Sequence, residues 1–145
     1  MVKTPKWKES PSETKTPRRQ ENPESTDNQT IAWHLNVLDT DGPWGWKSCT
    51  DSHFWNVIFG KARSFETMTW TDILRGGNNH QIKVNQICLE AQKRLAEIRQ
   101  DDIDDLYSFG LMGKPRLWGI RDGRIFKVLW WDPEHTICPS YKKHT

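Results

Sequence analysis

The side chains best equipped for chemistry gather toward the C-terminus. Arg116, Arg121, Arg124 and Lys127 stand on two strand-like runs joined by Asp122-Gly123. Asp132-Pro133-Glu134-His135, then Cys138, then Tyr141-Lys142-Lys143-His144 follow them. Two carboxylates, two histidines, a tyrosine and two lysines in so short a stretch are the parts of acid–base catalysis, which needs a proton donor and acceptor held close together. They are equally the ordinary content of a polar chain end, and Asp-Pro-Glu alone makes a good turn. Cations interleaved with Trp118 and Trp131 suit a phosphate backbone with stacked bases. At a sheet margin the same Arg116 and Lys127 would instead pair with Asp132 or an acidic segment, and the tryptophans would be core.

Cys49-x3-His53 and His135-x2-Cys138 are two soft-ligand pairs that could jointly complete a tetrahedral zinc site. Neither pair is a recognised zinc knuckle, and nothing in the sequence brings them together. There is no glycine-rich phosphate loop and no serine-elbow motif. Asp101-Asp102-Ile103-Asp104-Asp105 lacks the glycine and distal glutamate of a calcium loop, so it reads as a solvated turn. No cofactor is expected.

Positioning these groups requires a scaffold, and its elements can be traced. Ile31, Trp33, Leu35 and Val37 alternate with Ala32, His34, Asn36 and Leu38, the period of a half-buried strand. Asp39-Thr40-Asp41-Gly42-Pro43 stops it, and Trp44-Gly45-Trp46 is expected to fold back as a lid on the core. Thr50 or Asp51 can cap a helix whose Phe54, Trp55, Ile58, Phe59, Ala62 and Phe65 form one stripe. Thr69 starts a short helix that ends at Gly76-Gly77. Asn85 can cap a third, with Ile87, Cys88, Ala91, Leu95 and Ile98 buried. Strands are expected at Leu106–Met112, Arg116–Arg121 and Arg124–Trp131, the last two joined through Asp122-Gly123 as a β-hairpin. This order predicts an α+β fold: an antiparallel sheet with helices packed on one face, ending in an Asp-Gly hairpin.

A two-residue turn at Asp122-Gly123 would set Arg121 opposite Arg124, Gly119 opposite Phe126 and Trp118 opposite Lys127. Leu117, Phe126, Val128 and Trp130 would then share the helix-packed face. Arg116, Trp118, Ile120, Ile125, Lys127, Leu129 and Trp131 would share an open one, the surface through which a ligand could be touched.

Composition bounds the rest. Residues 1–29 hold few bulky apolar groups, and prolines recur at Pro5, Pro11, Pro17 and Pro23, so this stretch reads as a disordered, proline-rich tail. Residues 30–145 form one α+β domain that takes eight of the nine tryptophans, whose large buried area offsets a low aliphatic content. The net charge of +2 hides an asymmetry: Glu90 to Asp105 carries six acids against three bases, and Lys114 to Thr145 seven bases against three acids. That polarity keeps a nucleic-acid partner open without requiring one. No signal segment or membrane-length apolar run is seen. Three widely spaced cysteines make a poor disulfide framework, so the expected location is a reducing cytoplasm.

Leu38-Asp39-Thr40-Asp41-Gly42-Pro43-Trp44-Gly45-Trp46, Phe65-Glu66-Thr67-Met68-Thr69-Trp70 and Leu129-Trp130-Trp131-Asp132-Pro133-Glu134-His135, with the terminal Lys142-Lys143-His144-Thr145, resemble a family of small bacterial proteins of uncharacterised activity. The likeness runs from about Trp33 onward and says little about activity. A second resemblance is architectural. Helices followed by an antiparallel sheet bearing Arg116, Arg121, Arg124 and Lys127, with a Tyr/His/Lys terminus, are similar to RelE-like toxins, small ribonucleases that cleave messenger RNA, often on the ribosome. That resemblance implies that Arg116, Arg121 and Lys127 stabilise a phosphate transition state and that His135, Tyr141 or His144 moves the proton. The near-neutral charge and the Trp-rich front half depart from such toxins. The leading expectation is therefore an RNA-interacting, toxin-like protein, a RelE-like ribonuclease with RNA or the ribosome as partner; the alternative is a non-catalytic interaction module of a toxin–antitoxin, phage or defence system whose partner is a protein such as an antitoxin.

Overall fold

A computed structural model of the chain describes residues 26–139. Tyr141, His144 and most of the expected tail lie outside the described residues. Thr26 is buried and Asp27 is ion-paired to Arg121, so packing begins ahead of the expected boundary at Thr30.

Local capping chemistry sets the helix starts. Thr50 Oγ1 accepts from the His53 N–H at 3.0 Å and begins α1 (Asp51–His53). This helix runs through a π-helical turn (Phe54–Ile58) into α2 (Phe59–Glu66). Thr69 Oγ1 accepts from the Asp72 N–H at 3.1 Å and begins α3 (Trp70–Arg75). The helix expected from Asn85 starts later: Val84–Gln86 form a 3-10 turn, Cys88 is the N-cap, and α4 spans Leu89–Glu97 with Ala91 and Leu95 buried.

The strands are β1 (Ala32–His34), β2 (Asn79–Lys83), β3 (Asp105–Gly110), β4 (Arg116–Asp122) and β5 (Ile125–Asp132). They form one five-stranded sheet in the order β1-β5-β4-β3-β2. The α+β class holds, but the sheet is mixed rather than antiparallel, because β1 pairs with β5 in parallel. Nor are the helices confined to one face. α4 covers one side through Leu95, Leu106, Trp118, Ile120 and Trp130. α2 and α3 cover the other through Phe65, Trp70, Ile73, Phe109, Phe126 and Trp131. Each amphipathic helix needs an apolar surface to face, and two such surfaces exist here.

The β4–β5 register also differs from expectation. Asp122 pairs with Ile125, leaving Gly123-Arg124 as the central turn residues. Gly123 alone of these has a positive φ, +65°, the pattern of a II′ turn with glycine first. Arg121 then faces Phe126 and Gly119 faces Val128, while Trp118 faces Trp130, with a bulge at Leu129. The bulge inverts the alternation beyond it. Trp131 joins Leu117 and Phe126, and Trp130 joins Trp118, the reverse of the expected faces. Gly119 is required by this packing: a Cβ there would lie 2.3 Å from the Phe126 ring.

Candidate functional site

The described candidates for chemistry separate onto different parts of the hairpin. Arg121 lies at the turn end of β4 and is buried at 3% exposure. Its guanidinium stacks 4.0 Å over the Trp70 ring and donates to Gly123 O, Thr26 Oγ1 and Asp27 Oδ1. Lys127 lies on the opposite face, paired across the ladder with Ile120, its ammonium 3.6 Å from Asp122. Arg116 is at the far end of β4, five residues or roughly 17 Å from Arg121. There its guanidinium donates to the carbonyls of Gly113, Lys114 and Pro115. His135 shares that end, in the turn leaving β5, with a φ of 59°. Arg116 and His135 therefore stand at one end of the hairpin, which Arg121 and Lys127 do not share. The expected open face carrying Trp118 and Trp131 is closed on both counts: both indoles are buried, in opposite layers.

The acidic residues near these groups are structural. Asp39 receives two hydrogen bonds from Arg94, at 2.8 and 2.9 Å, and one from the Trp130 indole at 2.9 Å. Burial alone would raise the Asp39 pKa, but these donors and the Gly42 N–H outweigh it and hold the carboxyl below its usual range. Asp132 accepts from the Trp118 indole and from the N–H groups of Thr136 and Ile137, which folds the C-terminal arm back onto the sheet. Trp44 closes the same corner, its indole donating to Thr136 Oγ1, as expected of a lid. The zinc pairs do not meet, because Cys138 is in the α4 layer and Cys49 packs in the other. Among the described residues no group of three or more His, Cys, Asp or Glu is arranged to hold a metal ion.

The feature the sequence left out is an apolar cavity of about 230 Å³ at the β1 side of the sheet. Leu117 and Val128 contribute to it from the sheet and Trp33, Leu35 and Leu38 from β1 and the segment after it. Trp46 lines it from the following loop, and Phe54, Ile58 and Ala62 from the helical run. The helical run carries the π-helical turn beside this cavity. Its terminal hydrogen bond runs from the Phe59 N–H to Phe54 O, one residue wider than an α-turn. Of the expected stripe, only Ile58 and Phe65 are buried; Phe54 and Trp55 are 37% and 61% exposed. Leu35, at 65%, flanks the cavity from the other side.

Phe54, Trp55 and Phe59 support one another, with ring centroids 5.0–5.9 Å apart, so this surface is an ordered aromatic cluster. The Trp46 indole N–H is buried without an acceptor among the described residues, which is uncommon for a buried donor. One signal could have revealed the surface in advance. Phe54 and Trp55 are adjacent, and neighbouring helical positions do not share a face, so one of the two had to turn outward. In comparisons with protein-family models, curated proteins and solved structures, no match was found. Among the described residues no helix is long and apolar enough to cross a membrane.

Proposed function

We propose that this chain is a non-catalytic protein-interaction module that seats one bulky apolar side chain of a protein partner in the cavity beside the π-helical turn. The carrying observation is the juxtaposition of that cavity with three exposed large apolar side chains, Leu35, Phe54 and Trp55. Size favours a protein over a small molecule. Ligand pockets occupy about 300–1,000 Å³ and present a few convergent polar groups; this cavity is smaller, at about 230 Å³, and its lining side chains are apolar. Interface hot spots, by contrast, are single apolar or aromatic anchors ringed by contacts that exclude water. The setting proposed with this reading is a toxin–antitoxin, phage or defence system, with an antitoxin-like protein as partner.

The test is selection of peptides from a random displayed library, followed by titration into the labelled protein. Bound peptides are expected to carry an apolar anchor and to shift the Trp33 and Trp46 indole resonances. Trp55→Ser at the rim and Ala62→Met in the cavity should each weaken them by at least about tenfold, ~1.4 kcal/mol. Peptides that bind indifferently to both changes, or no peptides at all, would end this reading. The same titration with RNA addresses the competing proposal of a toxin-like ribonuclease. Affinity that falls steeply with salt and disappears in Arg116→Ala with Lys127→Ala would put RNA in the partner's place.

A further inference from the structure

The cysteines are widely spaced along the chain, but the backbone ties the segments carrying two of them together. The Cys88 N–H donates to Ile137 O at 2.9 Å. Peptide geometry then limits the Cα atoms of Cys88 and Cys138 to roughly 4–7 Å apart, which overlaps the range of about 4.4–6.8 Å that a disulfide spans. Cys138 Sγ lies against the turn leading into α4, 3.5 Å from Gln86 O. Cys88 packs on the same apolar cluster that contains Ile137 and Cys138, so both thiols belong to one small region. Cys138 is 4% exposed and Cys88 only half-buried, so a dissolved reagent reaches Cys88 first. Cys49 packs in the layer across the sheet and cannot compete for either.

We infer that Cys88 and Cys138 are a paired thiol site that low-molecular-weight disulfides convert to an intramolecular disulfide. The Cys88 thiolate attacks one sulfur of the small disulfide, forming a mixed disulfide and releasing one small thiolate. Cys138 then gives its proton to solvent, and its sulfur attacks Cys88 Sγ and expels the second small thiolate. The two cysteines together lose two electrons and two protons, and the small disulfide becomes two thiols. The new bond ties the arm after β5 to the start of α4 and closes a loop around β3, β4 and β5. It lies in the layer opposite the apolar cavity, so it stands independently of the interaction reading.

The experiment incubates the folded protein with oxidised glutathione, quenches with acid and digests with trypsin without reductant. The expected product is peptide 84–93 linked to peptide 128–142, in the wild type and equally in Cys49→Ser. Cys138→Ser should stop at a glutathione adduct on Cys88. In urea the yield of this link should fall at least about tenfold, because the fold no longer supplies the effective concentration. A wild-type adduct on Cys88 that never resolves, links to Cys49 in comparable yield, or a link that forms equally well in urea would each overturn the pairing.

Discussion

Replacing Arg121 by methionine keeps most of the stem volume and removes the guanidinium, and this separates a structural from a catalytic role for a residue that chemistry alone would place at a phosphate. The guanidinium lies 4.0 Å from the Trp70 ring centroid, and a desolvated contact of that kind contributes ~2 kcal/mol. It donates to Asp27 Oδ1 at 2.7 Å, to Gly123 O at 2.7 Å and to Thr26 Oγ1 at 3.1 Å. Bonds involving a charged group are worth ~1.5–3 kcal/mol each before correction. Stripping water from a cation this deeply buried costs several kcal/mol and offsets much of that sum. A net loss of about 2–4 kcal/mol remains, a large fraction of the ~5–15 kcal/mol that holds a small domain folded. With a urea slope near ~2 kcal/mol per molar, the midpoint should fall by roughly 1–2 M, read by tryptophan fluorescence. Asp27→Asn should lose less, about 1 kcal/mol, and the double variant should fall short of additivity by a similar amount. Stability within ~0.5 kcal/mol of wild type, with additive variants, would mean that Trp70 and Asp27 do not hold the guanidinium. The phosphate role would then return.

Gly119→Ala should destabilise by ~1–3 kcal/mol, since its methyl would collide with the Phe126 ring and also approach Lys127 O at 2.6 Å, and backbone cannot yield as a flexible side chain does. A melting temperature equal to wild type would contradict the packing described for that face. Asp39 gives a pH dependence whose sign can be worked out. Its folded pKa is depressed, so its contribution is complete above the usual carboxylate value and is lost as pH falls through the lower folded value. Urea midpoints should therefore decline on acidification below about pH 4, and Asp39→Asn, though less stable at neutral pH, should show a shallower decline.

What could be read from the chain follows the range of the interactions involved. Thr50 and Thr69 were identifiable as caps because an N-cap is settled within three residues of itself. The hairpin between β4 and β5 was visible for the same reason, but its register was not. Asp-Gly and Gly-Arg are both acceptable two-residue turns, so the local sequence does not choose between them, and the chain adopts the second. Moving the turn by one residue shifts the pairing by two and leaves each side chain on its face; the bulge does not. Leu129-Trp130-Trp131 is a continuous apolar run, so no alternation marks where the phase changes, and the two tryptophans exchange layers unannounced.

That exchange decides the fate of the expected binding face. With Trp118 and Trp130 together, the sheet offers a second broad apolar surface, and the Ala91–Leu95 stripe of α4 is the element available to cover it. The nucleic-acid surface was thus lost through the same residue that completed the core. The exposed aromatics arose conversely. The segment from Phe54 to Phe65 carries more large apolar groups than one helix face can bury, and the π-helical turn settles the excess by sending Phe54 and Trp55 outward beside a cavity that Ile58 only partly fills. A helix that had to close on the sheet for stability alone would gain from an α-turn and a smaller side chain at Trp55. Retaining the wider turn leaves apolar area exposed at ~25 cal/mol per Å², an energetic cost that a partner's anchor side chain would remove.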